Sequence, residues 1–161
     1  MALIGNVEAT TISVENALLS RQNLGMEIKG DYAWKKGPVS YAAAFKLNWN
    51  QGGHHGTSLD GTTSADGIIV NTTGYYYCYS WHRSGNGNYM GVSINGDRAA
   101  LESRTDVAWG HDHSAQAENW SKSTVIGYFQ AGWKICSGPA ADWGSRTTAG
   151  FGGGLLMVRL R

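Results

Sequence analysis

The stretch Tyr75-Tyr76-Tyr77-Cys78-Tyr79-Ser80-Trp81 carries no charge on either of the two faces a β-strand would give it. In an extended chain, successive side chains point to opposite sides. One side then presents Tyr75, Tyr77, Tyr79 and Trp81, and the other Tyr76, Cys78 and Ser80. An antiparallel strand at a protein surface normally keeps one polar face toward water, so this one has to be covered on both. A two-layer sandwich covers only one face of each sheet. The second cover must come from a long loop, the N-terminal segment or another subunit. Four aromatic side chains bury on the order of 600 Å², at ~150–250 Å² each, which is more than an uncovered surface tolerates. Tyr75, Tyr77, Tyr79 and Trp81 are therefore the candidate subunit interface.

The composition agrees with strands joined by tight turns. Glycine occurs 23 times in 161 residues, about twice the average usage, without a Gly-X-Y period. Seven Trp and eight Tyr sit beside a charged fraction of only 16% and a formal net charge of +1. A nucleic-acid binder would show a basic stripe, whereas Lys35, Lys36, Arg83, Arg98, Arg104 and Arg146 are scattered. No run of about twenty apolar residues is present for a membrane span. The N-terminal MALIGNVEATTISVENALLSRQ lacks the charged and apolar regions of a secretory signal, so Cys78 and Cys136 are expected as reduced thiols.

Residues 1–39 read as an N-terminal arm and residues 40–161 as the domain. Within the arm a short helix can form, with Ser13 as N-cap, Glu15 in its first turn and Gly25 past its end. A helix of about eleven residues is marginal alone and must lean on another surface. Its apolar residues Ile12, Val14, Leu18, Leu19 and Leu24 are the candidate docking contacts.

From residue 41 onward the expectation is all-β. Ala42 to Trp49 alternates as one strand, and a Gly/His/Thr/Ser-rich loop runs from Asn50 to about Gly67. Ile68–Val70 and Tyr75–Trp81 follow as strands around the turn Asn71–Gly74. Asn95-Gly96 is a strong hairpin signal between Tyr89–Ile94 and a return through Arg98 to Leu101. Glu102–Asn119 reads mainly as loop, with room for one irregular strand. Ser123–Gln130, Trp133–Cys136 and Leu155–Leu160 complete the set. About eight short antiparallel strands fit a sandwich or jelly roll.

No catalytic constellation stands out, and the expectation is a protein that is not an enzyme and carries no cofactor. His54-His55 and His111-Asp112-His113 lack a third metal ligand at a recognisable spacing and read as solvated loop residues. Gly85-Asn86-Gly87 and Gly152-Gly153-Gly154 do not sit between a strand and a helix with a lysine, so turn and strand-packing roles are expected for them.

The run Asp66-Gly67-Ile68-Ile69-Val70-Asn71-Thr72-Thr73-Gly74-Tyr75-Tyr76-Tyr77-Cys78 resembles the signature of the complement globular heads and tumour necrosis factors. Val92-Ser93-Ile94-Asn95-Gly96 resembles a hairpin of that family, and Phe151-Gly152-Gly153-Gly154-Leu155-Leu156 resembles its closing strand. Ser123–Ile135 resembles the stretch in which the family has an apolar strand and then Gly-Asp, with Trp133 standing in place of the aspartate. The resemblance covers roughly residues 41–160. It implies a jelly roll that forms homotrimers about a threefold axis, with Tyr77 and Tyr79 toward the axis and Tyr76 and Cys78 in the core. It also places Cys136 opposite to Ile135, against a Cys78–Cys136 disulfide. A cation site at the trimer apex, as some relatives have, would draw on Asp60, Asp106 or Asp112.

Three functions are compatible with such a chain. The first is a trimeric bacteriophage capsid decoration (cement) protein on the outer virion surface, assembled in the host cytoplasm and docked by its arm onto the major capsid protein. The second is the glycan-binding tip of a tail fibre or spike, using Trp109, Trp120 and Trp143. The third is a secreted complement-like or lectin module.

Overall fold

The computed structural model describes residues 30–83, 90–113, 120–139 and 153–160. Among these residues are ten strands and one helical turn. They are β1 (Tyr32–Ala43), β2 (Lys46–His55), β3 (Leu59–Asp60), β4 (Gly67–Val70), β5 (Gly74–Arg83), β6 (Met90–Ile94), α1 (Ala99–Glu102), β7 (Val107–His113), β8 (Trp120–Phe129), β9 (Lys134–Pro139) and β10 (Gly153–Arg159). One sheet has the order β2-β1-β10-β5-β8-β7 and the other β3-β4-β9-β6, with antiparallel pairing. The two layers enclose one apolar core, in which Tyr76, Phe129, Leu47, Ile68, Ile135 and Met157 are fully buried. This is an antiparallel jelly-roll sandwich.

β3, β7 and the division of Ala42–Trp49 between β1 and β2 raise the strand count above the expected eight, and the expected return strand after Gly96 is absent. Three stretches pair where their composition suggested loops. The first is the glycine- and histidine-rich run beginning at Asn50. It forms the second half of β2, in register with Tyr32–Lys36 of β1. Glycine is admitted there because neighbouring side chains occupy its space: a Cβ on Gly53 would lie 2.9 Å from three atoms of the Trp34 indole. The second is Leu59–Asp60, a short edge strand on β4. The third is Val107–His113, which pairs along β8 from Gly127 to Ser121 and forms an edge of the six-stranded sheet.

Ala42–Trp49 is not one strand. The chain turns at Ala44 and Phe45, and Ala43 pairs with Lys46. No glycine, proline or asparagine marks this turn, so the alternating pattern runs through it unbroken. Phe45 takes φ 56°, a costly conformation for a bulky residue. Tertiary contacts hold it: its N–H donates to the Pro139 carbonyl at 2.7 Å, its carbonyl accepts from Ser93 Oγ at 3.1 Å, and the Arg98 guanidinium lies 5.2 Å over its ring. The hairpin tip thereby reaches across to the outer side of the four-stranded sheet, where a Cβ on Gly138 would come within 2.6 Å of Lys46 N.

The Asn95-Gly96 turn forms as expected, with φ of 56° and 92° and a bridge between Ile94 and Asp97. The chain then coils into α1 instead of returning as a strand. Ala99, Ala100, Leu101 and Glu102 are good helix formers, and Arg98 Nε pairs with Glu102 at 2.5 Å across one turn. Gly96→Ala should cost about 1 kcal/mol, because the left-handed region is unfavourable for any residue with a Cβ. A shift in the urea midpoint with unchanged slope measures it.

The sheet begins at Tyr32, inside the segment 1–39 that the sequence assigns to the arm. Proline at 38 and glycine at 37 fall beside a register shift in β1 between Pro38 and Ser40, which bends the strand without ending it. Ile12, Val14, Leu18, Leu19 and Leu24, with the short helix that would carry them, lie outside the described residues.

Candidate functional site

Strand β5 positions both halves of the aromatic run as its alternation requires. Tyr76, Cys78, Ser80 and His82 point into the sandwich and are each fully buried. The Tyr76 hydroxyl donates to the Thr72 carbonyl, and the Ser80 and Ser137 hydroxyls hydrogen-bond across the two layers. Tyr75, Tyr77, Tyr79 and Trp81 lie together on the outward side of the six-stranded sheet.

Register spreads that outward face over the neighbouring strands. Val158 of β10 stands between Tyr32 of β1 and Tyr77, Leu156 between Trp34 and Tyr79, and Gly154 between Lys36 and Trp81. On the other side of β5, Tyr75 faces Tyr128 of β8 and Tyr77 faces Ile126. Tyr32, Tyr79, Leu156 and Val158 form a second buried apolar cluster, separate from the sandwich core, with Trp34, Tyr77 and Trp81 packed against it. Two glycines flatten this surface. A Cβ on Gly154 would collide with the Trp81 ring, so the indole lies over that glycine. Trp34 is seated over Gly53 in the same way. Tyr79 and Trp81 stack at 5.4 Å with 23° between their planes. Among the described residues, lysines join this face only in the row of Lys36, Gly154, Trp81 and Lys122.

Composition and periodicity singled out Tyr75, Tyr77, Tyr79 and Trp81; Tyr32, Trp34, Leu156, Val158, Ile126 and Tyr128 share the same outward face and were not singled out. Leu155–Val158 is apolar on both alternating faces, the same two-sided signature as β5, and could have been used. Nothing in the sequence tied Tyr32 and Trp34 to this surface, because their place depends on pairing with a strand more than a hundred residues away.

Of the polar candidates from the sequence, Asp60, Asp106 and His54 have structural partners among the described residues. Asp60 Oδ1 accepts from Thr62 N and Thr62 Oγ1, each at 2.7 Å, and Oδ2 accepts from Thr63 Oγ1. Those bonds hold its carboxyl well below the usual range. Asp106 pairs with Arg104, and Nδ1 of His54 stands 3.6 Å from Asp60. Burial alone would raise the Asp66 carboxyl, but Lys134 at 2.8 Å, Ser64 at 2.6 Å and Lys46 at 3.2 Å hold it far below its ordinary value. This cluster ties the β1–β2 hairpin to β9. Lys35, nearly buried, donates from Nζ to the Ser64 carbonyl; desolvation pulls its pKa down against the opposing pull of Asp60 and Asp66. His54-His55 and His111-Asp112-His113 lie on strands β2 and β7, not in loops. The side chains of Trp109, His111, Asp112, His113 and Trp120 lie outside the described residues, as does Trp143.

Cys78 and Cys136 are free, buried thiols. Burial pushes Cys136 up to about 12 and Cys78 higher still, which removes thiolate chemistry at neutral pH. Cys136 pairs in register with Gly67 and Ser93, on the side of β9 opposite to Ile135.

Solved structures share this architecture. Murine APRIL at pH 8.0 matches with a TM-score of 0.51 at 18% identity, over 81% of this chain and 99% of that one. Vertex protein P5 of phage PRD1 matches with a TM-score of 0.51 at 15% identity, over 82% of this chain and 98% of that one. At these identities the likeness is one of fold, and the fold is a jelly roll of the tumour-necrosis-factor type. No protein-family model matches the chain, and no curated protein matches it.

Proposed function

We propose that this chain is a structural virion protein: a homotrimeric capsid decoration protein that stabilises the head shell by binding the major capsid protein across capsomer junctions. The observation that carries this reading is the outward face of the six-stranded sheet. A seven-residue cluster of aromatic and aliphatic side chains lies on the outer side of a sandwich sheet, flattened by two glycine seats. Its Trp34, Tyr77 and Trp81 are only partly buried in the single chain, which supports contact between subunits there. Identical copies meeting through a heterologous contact close into a ring when the rotation allows it. The occurrence of this fold in a viral vertex protein is consistent with a virion setting.

A decoration protein acts by adding buried area between capsomers, so it needs no reactive group. The apolar residues Ile12, Val14, Leu18, Leu19 and Leu24 of the N-terminal segment would add docking contacts to those of the domain. Decoration also implies a position on the outer capsid surface.

Light scattering on the purified chain should give the mass of three subunits. Removal of residues 1–29 should leave that mass unchanged while abolishing co-sedimentation with virus heads. A stable single subunit would end this reading.

A further inference from the structure

The aromatic row of β5 divides between two surfaces. Tyr77, Tyr79 and Trp81 belong to the cluster with Tyr32, Leu156 and Val158, whereas Tyr75 stands outside it. Tyr75 is 50% exposed, Leu160 45% and Ile126 41%, and these are the exposed large apolar side chains among the described residues. They are neighbours. Leu160 N donates to the Tyr75 carbonyl at 2.8 Å, the Tyr75 ring meets the Tyr128 ring edge-on at 5.1 Å, and Ile126 lies in the next register row, opposite Tyr77.

The position of this patch carries the argument further. Arg159 N donates to the Asp31 carbonyl at 2.8 Å, so Gly30, the first described residue, lies beside the same strand end that presents Leu160 and Tyr75. The opposite ends of these strands are at Arg83, Trp120, His113 and Gly153. The described domain thus has a base, where Gly30 and the exposed apolar side chains come together, and a far end.

We infer that Tyr75, Ile126, Tyr128 and Leu160 form a base patch that seats the domain on an apolar surface of the head-shell protein, next to the point from which the arm departs. The inference rests on the decoration reading above. The chemistry of the partner follows from the rim. Asp106 is neutralised within the chain by Arg104, with Nε–Oδ1 at 2.8 Å and Nη2–Oδ2 at 2.5 Å. No unbalanced charge among the described residues of this edge calls for an oppositely charged partner, so the matching surface is apolar and uncharged. The area explains why the arm is needed as well. Three half-exposed side chains offer on the order of 300 Å², against roughly 800 Å² per partner in a stable interface. Three patches and three arms on one trimer bind together by avidity.

The test uses the full-length chain and virus heads stripped of it. The double variant Tyr75→Ser/Leu160→Ser should keep the trimer mass in light scattering and bind the heads at least tenfold more weakly. Tyr75→Phe, which keeps the apolar ring, should bind as the unaltered chain does. Two results overturn the inference while leaving the decoration reading intact: undiminished binding by the double variant, or loss of its trimer mass, which would assign the patch to a second copy of the chain. Failure of the unaltered chain to bind stripped heads overturns both.

Discussion

Replacing Tyr77 with aspartate is expected to leave a folded chain that scatters light as one subunit instead of three. Tyr77 is only partly buried in the single chain, between Val158 on β10 and Ile126 on β8. A carboxylate there stays hydrated in the monomer, so the sandwich should still melt in one cooperative transition. In a trimer joined through this face the same carboxylate loses its water. That costs several kcal/mol per ion even after relaxation, and threefold symmetry imposes it three times. Each ~1.4 kcal/mol is a factor of ten in the association constant, so micromolar solutions should contain monomer. A variant that retains the three-subunit mass would place the threefold contact elsewhere.

Acidification should weaken the fold well above the range in which its carboxylates titrate. His82 points into the core from β5 and is fully buried. Desolvation lowers its pKa to about 4, against an ordinary value of 6.5, so the folded chain holds the imidazole neutral. The unfolded chain takes up the proton first. The neutral imidazole therefore supports the fold in full above pH 6.5, and that support is lost as the pH falls toward 4. The loss approaches about 3 kcal/mol, because each tenfold difference in proton affinity between the folded and unfolded chain corresponds to about 1.4 kcal/mol. Asp60 and Asp66 are held below their ordinary 3.8; their contribution is present above that value and lost at still lower pH, in a separate window. Urea titrations between pH 7 and 4 should show the midpoint falling in the unaltered chain and a flatter profile in His82→Leu. Equal slopes would mean that the acid response arises elsewhere.

Such buried groups show how local pattern and tertiary structure divide the work. β5 was legible as a strand because its alternation leaves two uncharged faces. The family resemblance implied which one turns inward, and the structure places Tyr76 and Cys78 inward and Tyr77 and Tyr79 outward. The Asn95-Gly96 turn was legible because few residues tolerate its backbone angles. The turn at Ala44-Phe45 was not. Its strained φ is held by Pro139, Ser93 and Arg98, which lie far along the chain. β2 and β7 were hidden for a related reason: glycine and histidine have weak strand preference, and pairing with β1 and β8 overrides it.

By itself, the amino-acid sequence determined the all-β class and the apolar character of both faces of the tyrosine strand. These follow from composition and local alternation, neither of which requires knowing where the chain goes next. Tertiary structure alone decided which strands flank β5 and that Trp34 and Trp81 lie over Gly53 and Gly154. It alone decided too that Tyr75 stands outside the cluster of Tyr77, Tyr79 and Trp81, with its ring against Tyr128 and its carbonyl bonded by Leu160 N. Strand neighbours in a sandwich are set by contacts between residues distant in the chain, and a local pattern carries no record of them.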